Sequence, residues 1–378
     1  MNSSHVEFYS RYNISPVRQD IRDLDRHFRN RAFLYRQMGI LPMFIAGKRV
    51  VEVGPGSGFN SLYTASLKPA EYVLMEPNQA GVLDIQNLFS DYPELLKVIR
   101  IENCLLSDYG EDSQFDFVFC EGVLSGVPVP EEFLTLLCNR VASGGVLVIT
   151  CVDDVSYFAE ALRRFFAQLL MDPDSSLEEN TSLLLPIFSP HLVNLKGMNR
   201  RADDWIIDNL INPASIGRML SITEAIDVVD DSFDIYASSP HFILDWRWYK
   251  EIGHSGLSIN QNARDSYWSN MHNFLDHSRL LPPRPEAENR RLLFLCRSAR
   301  DAMREFEMKR DRTIVASIYD LIEEIIDNVH TYSPEISGTL KEALDIIKTV
   351  DRKAMAESQR FASLFGRGQQ YVSFSRKI

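Results

Sequence analysis

The chain reads as an α/β protein: a mostly parallel sheet with helices on both faces, plus a largely helical C-terminal insertion or extension. Three observations predict this. Strand-length apolar runs alternate with helix-length stretches from residue 49 to residue 151, a glycine-rich turn follows the first of those runs, and beyond residue 245 the apolar spacing changes to three and four. Such alternation implies right-handed βαβ units.

Ahead of the first strand, residues 16–39 mix six arginines with Ile21, Leu24, Phe28, Phe33, Leu34 and Tyr35 at helical spacing, so residues 1–47 are expected to form a helical cap. The arginines form either a solvated face paired with Asp20, Asp23 and Asp25 or an anion-recognising lid. Strands are expected at 49–53, 71–75, 97–101, 115–120 and 145–151, with helices at 59–67, 79–89 and 131–142. The unbroken run Val146-Leu147-Val148-Ile149 suits a strand covered on both faces. These elements make a core over residues 48–155.

Residues 156–231 read as a helical segment. A helix within Val155 to Met171 is stopped by Asp172-Pro173, an apolar stretch at 183–196 is broken by Pro186 and Pro190, and helices follow at 202–211 and 215–226. Two further strands are expected near 232–238 and 369–376, where Phe233 to Ala237 alternates apolar and polar residues. If both join the sheet, residues 246–365 are an insertion between its last strands; otherwise they form a separate domain. Ile314, Ile318, Leu321, Ile322, Ile325 and Val329 mark its clearest helix. It serves as core alone, as a substrate cap, or as the face of a homodimer.

Composition narrows the function. Forty basic residues against 52 acidic ones give a net charge of −12, which disfavours a phosphate-backbone footprint and so nucleic acid. No apolar run approaches the ~20 residues of a membrane span, and the polar N-terminus lacks a secretory pattern, so a cytoplasmic, membrane-free protein is expected. The five cysteines have no paired spacing, and no His/Cys cluster is present, so no metal is expected.

The turn Glu52-Val53-Gly54-Pro55-Gly56-Ser57-Gly58 carries the chemistry. Its glycines are spaced G-x-G-x-G, not the G-x-G-x-x-G that seats a pyrophosphate on a helix N-terminus. Glu52 would repel a pyrophosphate and welcome a cation. A second acid, Glu76, ends the next strand, 22 residues after Gly54, where it can accept both hydroxyls of a ribose. S-adenosylmethionine, with a sulfonium, an ammonium and no phosphate, suits this pair of acids better than a dinucleotide.

The run Glu52 to Gly58, Glu76 after a second strand, Phe115-Asp116-Phe117-Val118-Phe119, and Ala142 to Ile149 together resemble class I S-adenosylmethionine-dependent methyltransferases, in that family's order and spacing over residues 48–151. The resemblance implies a Rossmann-like fold, S-adenosylmethionine as cofactor and S-adenosylhomocysteine as product. It also implies that the backbone of Gly54, Pro55, Gly56 and Gly58 lies along the ligand's carboxypropyl part, with Glu52 orienting the ammonium and Glu76 accepting the ribose hydroxyls. Pro77 and Asn78 would flank the adenosine, Asn103 and Cys104 its adenine edge, and Glu121 would stand beside the sulfonium or face solvent as a loop acid. Asn103 departs from the family's usual acid.

The substrate half is read from the residues alone. Ser238 to Lys250 packs Trp246, Trp248 and Tyr249 with His241 and Asp245 into a loop leaving a strand, forming either a pocket wall or an apolar plug. His241 is the first candidate base and Asp245 the second; Trp246 and Trp248, with Tyr12 and Arg18 from the cap, are candidate substrate contacts. Glu121-Gly122-Val123-Leu124 is not the Asn/Asp-Pro-Pro-aromatic loop of amino-directed DNA methyltransferases. The expected activity is methyl transfer to an oxygen or nitrogen of a small-molecule or glycan-type acceptor, and the alternative is a non-catalytic, partner-binding scaffold.

Overall fold

The structure, a computed structural model, describes residues 5–15, 18–110, 113–213, 218–254, 256 and 258–378. Among the described residues seven strands form one sheet: β1 (Arg49–Val53), β2 (Glu71–Met75), β3 (Ile99–Glu102), β4 (Phe115–Cys120), β5 (Val141–Cys151), β6 (Phe233–Ser239) and β7 (Gln370–Arg376). Their order is β3-β2-β1-β4-β5-β7-β6. The first five run parallel, and β7 runs antiparallel to both β5 and β6. The strand order reverses between β1 and β4, and a crevice opens at the carboxyl ends of strands at such a switch point.

Strand β1 shows why these residues pair as they do. Val50 and Glu52 point to one face and Val51 and Val53 to the other, and all four are buried because helices cover both sides. On the first face Val50, Leu74, Phe117, Phe119 and Val148 pack against Tyr35 and Leu62. Phe119 is the centre of this layer: its ring stacks on Tyr35 at 5.5 Å and on Phe117 at 6.1 Å. Tyr35 comes from the helix Leu24–Gln37, whose start is capped by the Asp23 carboxylate.

Strand β5 begins at Val141, earlier than the expected residue 145. The β4–β5 pairing shifts register between Phe115 and Phe117. Gly145 makes the irregularity possible, since a Cβ there would sit 2.9 Å from the Asp116 carbonyl oxygen and 2.8 Å from that of Ala142.

The chain divides into two compact units, residues 1–152 with 216–267 and 369–378, and residues 153–215 with 268–368. The sequence separates 156–231 from 246–365. The second unit instead joins parts of both, because helix Phe158–Leu170 packs on helix Glu286–Lys309, with Phe165 edge-on to Phe306 at 5.6 Å. Helix Leu177–Leu192 runs through Pro186 and Pro190, which the sequence reads as breaks. A capping box at Ser176 and Glu179 fixes its start, and burial of Leu184, Ile187, Phe188, His191 and Leu192 offsets the lost ladder bonds. The expected helix at 215–226 begins at Ile222, behind a Ser221 cap; residues 214–217 lie outside the described residues.

The second unit also encloses a charge. The Arg163 Nη2 donates to the Phe361 carbonyl at 2.9 Å and its Nε to His191 Nδ1 at 3.0 Å, while His191 Nε2 lies 2.8 Å from the Met355 carbonyl oxygen. Burial pushes Arg163 down to about 10 and His191, beside it, down to about 4, so the imidazole is a neutral acceptor for the guanidinium.

Replacing Phe119 by Ala removes a ring stacked on both sides in a layer that cannot collapse inward. It is expected to lower the unfolding free energy by about 3–5 kcal/mol, read as a shift of the urea midpoint.

Candidate cofactor site

The turn after β1 is built from backbone that only glycine holds cheaply. Gly54, Gly56 and Gly58 have φ of 73°, 59° and 76°, and a Cβ on Gly54 would come within 2.5 Å of a Val123 methyl. The Gly54 N–H donates to the Met75 carbonyl at 2.9 Å, which ties the turn to the end of β2.

Glu76 closes the turn from the other side. One carboxylate oxygen accepts the Gly56 N–H at 2.8 Å and the other the Asn78 N–H at 2.9 Å. The side chain is only 6% exposed, and that burial pushes its carboxyl up to about 7 against the pull of the two N–H donors. Gly81, in helix Gln79–Ser90, must be small for this to happen: a Cβ there would lie 2.9 Å from Glu76 Cγ and 3.0 Å from the Gly56 oxygen. Asn78 caps that helix through Ala80 N and donates its amide to the Ile14 carbonyl at 3.2 Å, and Asn103 donates to the Glu76 carbonyl at 2.8 Å.

Glu52 lies beneath the turn, accepting from Ser61 Oγ at 2.7 Å and from the Tyr72 hydroxyl. Burial raises its carboxyl above the usual range, and the Glu121 carboxylate pushes the same way. Glu121 itself meets Arg31 in a two-pronged ion pair, Nη1 to Oε2 at 2.9 Å and Nη2 to Oε1 at 2.5 Å, with side-chain exposures of 7% for Arg31 and 11% for Glu121. Over the turn, Ser15 Oγ sits 2.9 Å from Ser57 Oγ, Ser57 donates to Asp84 at 3.1 Å, and Arg18 grips Asp84 at 2.9 and 3.1 Å. His27 Nε2 lies 3.0 Å from the Phe59 carbonyl oxygen, and burial lowers that imidazole's pKa. Pro16 and Val17 lie outside the described residues.

The fold therefore gathers Glu52, Gly54, Pro55, Gly56, Gly58, Glu76, Pro77 and Asn78 around one turn, with Asn103 and Cys104 just beyond β3 and Glu121 just beyond β4. Arg18 of the cap lies against helix Gln79–Ser90 through Asp84, whereas Tyr12 is 42% exposed and edge-on to Phe8 at 5.0 Å. His241, Asp245, Trp246 and Trp248 follow β6, which stands four places along the sheet from β1. His241 is exposed, Trp246 is 94% exposed, and Asp245 is bonded to Arg247, whose side-chain donor holds it down to about 2. Among the described residues no group of three or more His, Cys, Asp or Glu could hold a metal, and no helix is long and apolar enough to cross a membrane.

Sequence reasoning missed Arg31, Gly81, Tyr72, Ser61 and Asp84. His27, Arg31 and Tyr35 recur every four residues on one helix and are all buried. A polar stripe at that spacing among apolar neighbours is the signal that distinguishes Arg31 from the solvated arginines.

Residues 24–206 match the family model of a methyltransferase domain. Over that stretch the chain is similar to methyltransferase domains, and the motifs that resemble class I S-adenosylmethionine-dependent methyltransferases, at residues 48–151, fall within it. An uncharacterized protein of Synechococcus sp. is 23% identical to it over 163 residues, 43% of this chain and 39% of that protein, so the chain spans about two fifths of its curated relative. Among solved structures, the chain is similar to PKMT2 from Rickettsia typhi, at 15% identity and a TM-score of 0.44, covering 64% of this chain and 50% of that one. It is similar also to the N-methyltransferase NodS from Bradyrhizobium japonicum, at 14% identity and a TM-score of 0.31, covering 39% of this chain and 74% of that one.

Because the folded Glu76 carboxyl holds its proton more tightly than the unfolded one, it makes stability fall as pH rises from about 4.5 to about 7. Glu76→Gln is expected to flatten that part of the slope, measured by urea unfolding at pH 5, 6, 7 and 8. An unchanged slope would mean that Glu76 is not the titrating group.

Proposed function

We propose that this chain transfers the methyl group of S-adenosylmethionine to an oxygen or nitrogen atom of a small-molecule or glycan-type acceptor. The observation that supports it most is Glu76, a buried carboxylate locked against the glycine turn by Gly56 N–H and pushed up to about 7. Two ribose hydroxyls donating to it would favour its ionised form and relieve the cost of burial. The two arginines nearby, Arg18 and Arg31, are each committed to a carboxylate, which leaves this turn poorly suited to a pyrophosphate. A ligand bearing a sulfonium and an ammonium suits a turn that starts from the Glu52 carboxylate.

In this reading the turn lies along the carboxypropyl part, Pro77 and Asn78 flank the adenosine, and Asn103 and Cys104 border the adenine. Methyl transfer is an in-line displacement: the acceptor's lone pair bonds to the methyl carbon as the carbon–sulfur bond breaks, and the sulfur leaves as a neutral thioether. The protein's main task is alignment. The exposed faces of Trp246 and Trp248 offer flat surfaces for a ring-bearing or sugar acceptor, with His241, five positions before Trp246, as the candidate base.

Calorimetry with S-adenosylhomocysteine is expected to show saturable binding that Gly56→Arg abolishes. Glu76→Gln should weaken it about 10- to 100-fold, the value of hydrogen bonds to a charged group. Wild-type affinity should rise from pH 6 to pH 8 as Glu76 ionises and then level off. No binding by the wild type rejects the proposal. A labelled-methyl screen against pools of hydroxylated and amine metabolites then tests transfer, and binding without turnover would favour the scaffold alternative.

A further inference from the structure

A row of residues crosses the carboxyl edge of the sheet away from the glycine turn. Glu52 pairs with Phe119, so two residues further on Gly54 stands level with Glu121. Cys120 pairs with Ile149, which puts Glu121 beside Thr150, and the Gly122 N–H donates to Thr150 Oγ1 at 2.7 Å. Thr150 in turn pairs directly with Tyr371. Directly opposed residues of an antiparallel pair point to the same face. The Tyr371 side chain therefore rises on the face that carries Phe119, Val148 and Thr150, and it packs against the cluster containing Tyr35.

Three polar groups meet at this edge. The Arg31–Glu121 pair is buried, and the Tyr371 hydroxyl feels both of its charges; burial raises the phenol's pKa, so the hydroxyl keeps its proton. Among the described residues nothing accepts the buried Arg31 Nε–H, a cost that a ligand oxygen lying against the pair would remove. On the other side of the row is the turn where, in the reading above, the donor's sulfonium end lies. Nothing in the cofactor half needs Tyr371, which comes from the last strand of the sheet.

We infer that Arg31, Glu121 and Tyr371 form the wall that faces the transferable methyl group, with Tyr371 turned to the acceptor and Arg31 acting as a positioning residue through Glu121. This rests on the methyl-donor reading. The wall is electrically balanced, one guanidinium against one carboxylate, so the positive methyl donor and its neutral product meet it on nearly equal terms. Removing either partner alone breaks the balance in opposite directions. A bare carboxylate holds a sulfonium better than a thioether, whereas a bare guanidinium repels the sulfonium.

The ratio of affinities for S-adenosylmethionine and S-adenosylhomocysteine, measured by calorimetry on the full chain, tests this without knowledge of the acceptor. Glu121→Gln is expected to shift the ratio about fivefold or more against S-adenosylmethionine, and Arg31→Met to shift it the other way, with Arg31→Lys restoring the wild-type ratio. Tyr371→Phe should move it about two- to fivefold against the methylated ligand, by loss of a contact between the phenolic oxygen and the polarised methyl. A purely structural role would weaken both ligands alike and give no sign reversal. If Arg31→Met fails to fold, Glu121→Gln and Tyr371→Phe still decide. Intact S-adenosylhomocysteine binding with ratios unchanged in both overturns the wall and leaves the methyl-donor reading standing. Failure of the wild type to bind either ligand overturns both.

Discussion

One hydrogen bond organises the cofactor half of this molecule: the Gly56 N–H held by the Glu76 carboxylate. The three glycines of the left-handed turn at the end of β1 have no side chains to fix its shape, so at those positions it is pinned through its backbone. Glu76 does this from the end of the neighbouring strand, and its second oxygen takes Asn78 N–H, so a single carboxylate spans two loops. Gly81 leaves room for it, Asn103 holds its carbonyl, and Asn78 fastens the next helix and the Ile14 carbonyl. The raised pKa of Glu76 is the cost of that arrangement, because a carboxylate placed to grip backbone is also removed from water.

Around this pin the charges are distributed unevenly. Glu121 and Asp84 each have an arginine, while Glu52 rests on two hydroxyls and Glu76 on two amides. Hydroxyls and amides stabilise an anion less than a cation does, and both of these carboxyls are raised by burial. The acids paired with arginine tie the cap helices to the sheet and its helices, whereas Glu52 and Glu76 rely on neutral donors.

Much of this was legible in the sequence because it depends on local rules. The parallel strands announce themselves as apolar runs, the turn as glycines at alternate positions, and Glu76 as the acid ending β2. The boundaries of β1, β2 and β4 match their expected spans for the same reason. Contacts between residues far apart in the chain were not legible. Arg31 meets Glu121 across 90 positions, and nothing in either segment alone marks the pair. Gly81 looks like an ordinary helix residue until Glu76 is placed against it. The two prolines of helix Leu177–Leu192 mislead because local propensity is overruled there by burial, which periodicity does not measure. The loop after β6 stood out for its aromatic rings, yet Trp246 is almost wholly open to water.

The strand order has a consequence for synthesis. β7 lies between β5 and β6, although more than 200 residues separate the end of β5 from its start. Until that stretch leaves the ribosome, the carbonyls and amides along one side of β5 have no partner, and at roughly 5–20 residues per second the interval lasts on the order of ten seconds or more. β6, which runs parallel to β5, could fill the gap only in a pairing the finished sheet does not use. An unprotected edge of that duration is a template for foreign strands, so the nascent chain has reason to be shielded while its centre waits for its last member.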